Sequence, residues 1–383
     1  MNNPILLQDM EYIFKQLDST QKQTFQDSTI LISGCAGFLG FYLLHFLTHY
    51  ANALGIQKII GLDNFMLHSP SWLQTLEQNN EVLTIHAFDI ISDSIARIPN
   101  TNNVNLIIHA ASIASPTFYR AYPIQTLDAN IWGLRSLLEY YKQKPIKGFL
   151  FFSSSEIYGD PESSQIPTNE EYRGNVACIG PRACYDESKR FGETMCYLFA
   201  LKYNLPITIA RPFNNYGPGM SLQDKRVPAD FANAILNHNP IKILSNGNPT
   251  RTFCYVADAI AGYLKILTFG KFEYFNIGMD TPEISIKQLA LLYLEAGREI
   301  LDYQGEIVFD TSNDKDYLTH NPNRRLPDIT KAKTMLNFTP NITIQHGIER
   351  FLKFLAFEQS NTPPNTTPLS TTSYAHPHSK KEL

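Results

Sequence analysis

The chain is poor in the features that would place a protein outside the cell, in a membrane or on a nucleic acid. Its 383 residues hold five cysteines, Cys35, Cys178, Cys184, Cys196 and Cys254. The number is odd and no CxxC or Cys/His metal spacing occurs. That excludes a disulfide framework, predicts buried reduced thiols and leaves no metal among the expected ligands. No run approaches the roughly 18 consecutive apolar residues of a membrane helix, and the N-terminal stretch mixes Asp9, Glu11 and Lys15 with its apolar residues, unlike a signal peptide. A cytoplasmic location and no membrane partner are therefore expected. Lysine and arginine are scattered, the formal net charge is −4 and the pI is near 6.2, so no basic field awaits a polyanion and nucleic acid is not an expected partner.

What is present suits a large core: 43% of residues are hydrophobic and 18% charged, as in one large domain or two intimately joined ones. Residues 1–27 read as a helical extension whose job is packing, because Ile5, Leu6, Met10, Ile13, Phe14 and Leu17 recur at helical spacing. From 28 to about 150, apolar runs at 29–33, 58–63, 83–89, 106–110 and 148–153 alternate with helical segments at 38–53 and 124–141. Such alternation predicts an α/β fold with a parallel sheet wound on both sides by helices. A long helix over 184–202 and a strand over 206–211 follow, after which Pro, Gly and Asn become frequent. We therefore expect a Rossmann-type doubly wound domain from 28–212 with 249–283, and a smaller α/β C-terminal lobe from 213–248 with 284–357 that covers the carboxyl ends of the strands. The stretch 358–383, rich in Thr, Pro, Ser and Asn, cannot bury enough surface to offset its ordering entropy and is expected to be disordered.

The run Gly34-Cys35-Ala36-Gly37-Phe38-Leu39-Gly40 stands between the first strand and the first helix of that alternation. There the first glycine permits a tight turn, the second lets backbone approach a pyrophosphate and the third lets helix pack closely on strand. Asp63, followed by Asn64, ends the next strand, where a carboxylate can accept hydrogen bonds from an adenosine ribose. The same carboxylate would repel a 2′-phosphate, so NAD is favoured as cofactor over NADP. Asp89, followed by Ile90, ends a later strand and either contacts the adenine or forms a turn.

Tyr185 and Lys189 are four residues apart in a helical segment, which places both side chains on one face. A phenol with its ordinary pKa of about 10 is a poor base at neutral pH until a nearby ammonium stabilises the phenolate. Lys189 is expected to do that, so that Tyr185 can couple proton transfer to hydride transfer.

These features, with Gly180-Pro181-Arg182-Ala183-Cys184-Tyr185-Asp186-Glu187-Ser188-Lys189-Arg190, Ser153-Ser154-Ser155-Glu156-Ile157-Tyr158-Gly159, Thr250-Arg251-Thr252-Phe253-Cys254-Tyr255-Val256 and Arg324-Arg325-Leu326-Pro327-Asp328-Ile329, resemble the extended short-chain dehydrogenase/reductase family of nucleotide-sugar enzymes over residues 28–355. Within it the pattern is most similar to the UDP-glucuronate decarboxylases. The resemblance implies a bound NAD, a nucleotide-sugar substrate with UDP favoured, and oxidation at carbon 4 of the sugar. Decarboxylation would then give UDP-xylose or stop at the UDP-4-keto-pentose.

By the same resemblance, Tyr185 and Ser154 address the 4-oxygen and Lys189 the nicotinamide ribose, with Ser154 standing where relatives commonly have Thr. Ser155 and Glu156 bear on the choice of chemistry. Dehydratases acting on dTDP-glucose carry Asp before the Glu, GDP-mannose dehydratases share the Ser-Glu pattern, and 4-epimerases usually lack an acid at Glu156. Arg325 would address the sugar carboxylate, although Leu326 replaces the usual Lys, and on spacing alone an arginine pair reads as a surface ion-pair element. Asn214 and Arg251 would meet the diphosphate, Arg226 and Tyr255 the nucleotide, and Ala110, Ser112 and Asn130 the cofactor. Phe118, Tyr119 and Arg120 replace a Pro-Asn-Tyr run beside the sugar. A homodimer paired through 126–141 and 184–202 is also implied. The alternatives are a nucleotide-hexose 4,6-dehydratase, a 4-epimerase or, in another class, a catalytically silent NAD-binding regulator.

Overall fold

A computed structural model describes residues 3–361 apart from 313, 314, 317, 318 and 320. Seven strands form its central sheet: β1 (Ser28–Ser33), β2 (Ile56–Asp63), β3 (Leu83–Ala87), β4 (Leu106–His109), β5 (Gly148–Phe152), β6 (Ile207–Pro212) and β7 (Glu273–Ile277). The order across the sheet is β7-β6-β5-β4-β1-β2-β3, and every neighbouring pair is parallel. β1, β4 and β5 are buried along their whole length, which is why they read as unbroken apolar runs rather than alternating ones. The chain leaves β1 toward β2 and β3 on one side and returns to β4 on the other. That reversal opens a crevice beyond the carboxyl ends of β1 and β4.

Apolar side chains fill both faces. On one, a core without interruption runs from Leu6 and Met10 through Phe41, Ile260 and Leu264 to Phe231, Tyr293 and Ile348, so the region after residue 212 shares its core with the sheet. On the other, Leu134, Leu138 and Phe199 cover Leu31, Ile107, Phe149 and Ile209.

Several elements depart from the sequence expectation. The helix expected over 38–53 is Phe38–His49 followed by a short turn Ala51–Leu54, broken where Tyr50 leaves helical geometry and its ring stacks on Phe14 at 4.1 Å. The helix expected over 124–141 widens into a π-helical turn at Ala129–Gly133, where Gly133 sits against Ile90. A helix over Ser71–Gln78 and strand β7 were not anticipated; the first is short and mostly polar, and the second is told from a loop by its pairing with β6. The segment expected to be disordered from 358 begins inside the helix Ile344–Asn361, and the Glu358 carboxylate accepts a 2.8 Å hydrogen bond from Asn3. Residues 362–383 lie outside the described residues. Among the described residues, no helix is long and apolar enough to cross a membrane, and no group of His, Cys, Asp and Glu is arranged to hold a metal.

The N-terminal helix Pro4–Gln16 packs as expected through Leu6, Met10 and Ile13, and the same face carries a buried carboxylate. Asp9 accepts hydrogen bonds from Tyr42 and Tyr255, each at 2.7 Å, and from Arg350 at 2.5 Å. Burial pushes its carboxyl pKa up against the pull of those donors. A carboxylate so enclosed is tolerable because each oxygen is satisfied, and its removal would strand two phenols and a guanidinium. Asp9→Ala should therefore destabilise the protein by about 3 kcal/mol, read as a lower midpoint in chemical denaturation; an unchanged midpoint would show that the network contributes nothing.

Candidate active site

The crevice becomes a deep cleft walled by the glycine turn, the ends of β4, β5 and β6, the start of the long helix Ala183–Tyr203 and segments from 214 to 253 and around 325. At its head, Gly34 takes φ +76°, and a Cβ there would lie 2.6 Å from the carbonyl carbon of Ala110. A Cβ on Gly40 would fall 2.3 Å from the Cys35 oxygen. These two contacts require glycine, one for the turn and one for helix-to-loop packing. Gly37 caps the helix Phe38–His49 without a side-chain bond, leaving backbone N–H groups of its first turn aimed into the cleft beside Phe38 and Leu39, an arrangement suited to a diphosphate.

The other expected cofactor residues are placed unequally. Ala110 and Ser112 line the cleft, and the buried Ser112 hydroxyl has no partner among the described residues. Asp63 lies behind the wall, accepting hydrogen bonds from Ala36 N–H at 3.0 Å and Phe65 N–H at 2.9 Å. It thereby stitches the glycine turn to the end of β2, while burial raises its pKa. Asn64 is exposed and bonds to Met66 N–H at 3.1 Å. Asp89 accepts from Ile91 N–H at 3.0 Å, which is the turn-forming alternative, and Ile90 packs on Gly133. Asn130 is fully buried and donates to Ser188 at 2.9 Å, with its carbonyl oxygen unpartnered among the described residues. The tight glycine cradle and these orphaned polar atoms fit a dinucleotide with its pyrophosphate over the helix terminus.

On the floor, Tyr185, Lys189 and Ser154 meet. The Lys189 ammonium donates to the Phe152 carbonyl at 2.7 Å, and burial drops its pKa to about 7. Burial raises the Tyr185 phenol to about 12, against the pull of its hydrogen bond with Ser154. Burial, and not the Lys189 amine, sets the direction of this shift. The amine is turned to the end of β5 and lies 5.6 Å from the centre of the Tyr185 ring, so burial outweighs it. The Tyr119 ring stacks on Tyr185 with centroids 5.3 Å apart and planes 13° from parallel, which fixes the phenol's approach.

The opposite wall is cationic. Arg325 grips Glu156 with two 2.6 Å hydrogen bonds, and Arg182 holds the same carboxylate from the other side. Burial alone would raise the Glu156 pKa, yet the two guanidiniums hold it down at about 2. Burial and the charge on Glu156 push neighbouring Asp186 up to about 7. The arginine pair divides: Arg324 forms a half-exposed ion pair with Glu283, whereas Arg325 turns inward. Arg251 is held by the carbonyls of Thr250, Pro322 and Asn323, with its guanidinium on the cleft wall. Burial, followed by the charge on Arg325, lowers its pKa to about 9. Asn214, in left-handed geometry, and Arg226, paired with Asp224, also line the cleft.

Tyr255 is a correction. It is fully buried with its hydroxyl on Asp9, so it braces the N-terminal helix and does not face the cleft. Arg182 was quoted within a motif without a role, and nothing local marks it, because its partner Glu156 is 26 residues away.

The family model for the NAD-dependent epimerase/dehydratase family matches residues 30–278. The chain is 33% identical over 323 residues to UDP-glucuronic acid decarboxylase 1 of Arabidopsis thaliana, covering 84% of this chain and 68% of that protein. It is 34% identical over 337 residues to UDP-glucuronic acid decarboxylase 1 of Xenopus tropicalis, covering 88% and 74%. Among solved structures, UDP-glucose 4-epimerase from Thermotoga maritima with UDP-glucose superposes with a TM-score of 0.73 at 26% identity, covering 86% of this chain and 99% of that one. With the match spanning the glycine turn, the Tyr185–Lys189 helix and the floor between them, the chain belongs to the NAD-dependent epimerase/dehydratase family.

Proposed function

We propose that the protein uses NAD to oxidise carbon 4 of UDP-glucuronate and then decarboxylates the sugar, giving UDP-xylose or the UDP-4-keto-pentose. The observation that carries this reading is the meeting, in one cleft, of the Tyr185–Ser154 floor and glycine cradle with the Glu156–Arg325 wall. The relatives named as UDP-glucuronic acid decarboxylases support it. NAD, when bound, would supply a hydride acceptor and a positive ring. Tyr185, in contact with Ser154, would take the proton of the 4-hydroxyl, and Lys189 would hold the ribose.

The carboxylate on carbon 5 is then beta to a ketone. The bond between carbons 5 and 6 breaks, carbon dioxide leaves, and the electron pair enters an enolate whose oxygen receives hydrogen bonds from Tyr185 and Ser154. A proton to carbon 5, the hydride back to carbon 4 and the Tyr185 proton back to the 4-oxygen would complete the pentose. Arg251 and Asn214 would bind the diphosphate, and Arg226 the nucleotide. By the resemblance Asp63 and Asn64 would meet the adenosine ribose, and Ile90 and Asn130 would lie along the cofactor, whereas Asp89 forms a turn.

The clamp also favours decarboxylation over dehydration. A 4,6-dehydratase needs a carboxyl free to exchange protons with the sugar, whereas both oxygens of Glu156 are committed to arginines and Ser155 supplies no acid. The division into a cofactor domain (28–212 with 249–283) and a substrate lobe (213–248 with 284–357) belongs to the same proposal, as does a cytoplasmic location. A homodimer is supported by exposed Trp132, Phe191, Leu198 and Leu201 on the two helical segments expected to pair.

Incubation with UDP-glucuronate, UDP-glucose and dTDP-glucose tests the reading. Carbon dioxide from the acid alone is the expected result, and a 4-keto-6-deoxy sugar from a hexose would overturn it. Tyr185→Phe should lower kcat by roughly a thousandfold while NAD titrates as in the parent; a silent regulator would lose nothing. Arg325→Lys, which cannot grip Glu156 with a planar fork, should cost roughly a hundredfold in kcat/KM for UDP-glucuronate, and parity with the parent would remove Arg325 from the site.

A further inference from the structure

No residue of the N-terminal helix Pro4–Gln16 lines the cleft, yet its buried Asp9 bonds to elements that carry two of the cleft's walls. Asp9 Oδ2 accepts from both the Tyr42 and the Tyr255 hydroxyls, each at 2.7 Å, while Oδ1 accepts from Arg350 at 2.5 Å. Tyr42 sits on the helix Phe38–His49, one turn beyond Phe38, so it is built on the same rigid element as the diphosphate cradle. Tyr12 seats the N-terminal helix a second time, donating at 2.5 Å to Asp258, which also accepts from the N–H groups of Asn341 and Ile342.

Tyr255 belongs to a short ribbon that holds the facing wall. Cys254 and Tyr255 pair in parallel with Asn215 and Tyr216. The Asn214 side chain donates to the Thr252 carbonyl at 2.9 Å, and the Cys254 N–H donates to the Asn214 carbonyl at 3.2 Å. Arg251, Asn214 and Asn215 of this ribbon line the cleft. The cradle helix and the continuation of the ribbon also touch directly, because the Phe41 ring packs on Gly219, next to the cleft-lining Met220. Hydrogen bonds to a carboxylate are short and directional. Since both phenols share one oxygen of Asp9, the place of either hydroxyl constrains the other, and with them the glycine cradle and the Arg251–Asn214 ribbon.

We propose that Asp9 is a positioning residue for both ligands of the cleft, tied through Tyr42 to the cofactor cradle and through Tyr255 to the ribbon bearing Arg251 and Asn214, so that the N-terminal helix sets the spacing of the two walls. The ribbon's part as a diphosphate site rests on the reaction proposed above; the cradle's part does not. Calorimetric titration of the full-length protein with NAD, and with UDP at saturating NAD, separates the two arms. Tyr42→Phe should bind NAD about threefold more weakly and UDP as the parent does, and Tyr255→Phe should do the reverse. Asp9→Asn should weaken both. A general loss of stability would not sort by ligand in this way. Folded Phe variants that bind both ligands with the parent's affinity, or that lose both ligands equally, would overturn the proposal and leave Asp9 a brace alone. If Asp9→Asn fails to fold, the two Phe variants, which keep their rings in the core, carry the test. A parent that binds NAD but not UDP would reject the nucleotide-sugar reading; Tyr42→Phe with weakened NAD binding would then keep the role of Asp9 at the cradle, and Tyr42→Phe with the parent's affinity would reject it as well.

Discussion

Burial of the Lys189 ammonium against the Phe152 carbonyl is the constraint on which the site depends. A lone cation taken out of water is costly and answers by losing its proton more easily. The fold accepts that cost where the helix Ala183–Tyr203 crosses the carboxyl ends of β4 and β5, because this crossing is also what sets Tyr185 beside Ser154. Burial thus holds the pKa of the Tyr185 phenol up and that of the Lys189 amine down. A positive ring beside the pair would pull the phenol's pKa down, and ribose hydroxyls would offer the Lys189 ammonium further acceptors.

The two walls of the cleft divide the labour. In the proposed reaction the floor would move a proton at carbon 4 and steady an enolate, whereas the Arg182–Glu156–Arg325 clamp sets two guanidiniums against one carboxylate. A free pair of guanidiniums would bind a sugar carboxylate tightly and resist its departure as carbon dioxide, since ground-state binding that is lost in the transition state slows the step. With Glu156 already occupying those forks, the carboxylate of the proposed substrate would meet guanidiniums whose charge is partly offset.

Local chemistry was legible in the sequence and distant pairing was not. The glycine turn could be read because its residues act through backbone geometry at fixed offsets, and the Tyr185–Lys189 pair because four residues make one helical turn. The strands of the central sheet were legible for the same kind of reason, since burial on both faces leaves continuous apolar runs; β7, half-buried at the edge and shorter in apolar content, was not. Glu156 and Arg325 are 169 positions apart and Asp9 and Arg350 are 341 apart. Nothing in either neighbourhood announces the partner. Tyr255 shows the converse hazard, because a motif placed it by the nucleotide while its side chain was claimed by a carboxylate on the N-terminal helix. The upward direction of the Tyr185 shift follows from desolvation, which a motif does not show.

The most direct measurement is a crystal structure of the protein with NAD and UDP-xylose. The expected result is the Tyr185 hydroxyl within about 3 Å of the sugar 4-oxygen, carbon 4 facing the nicotinamide, and Glu156 still held by Arg182 and Arg325. A sugar seated with carbon 4 turned away from the nicotinamide, or a Tyr185 hydroxyl that reaches no sugar oxygen, would contradict it.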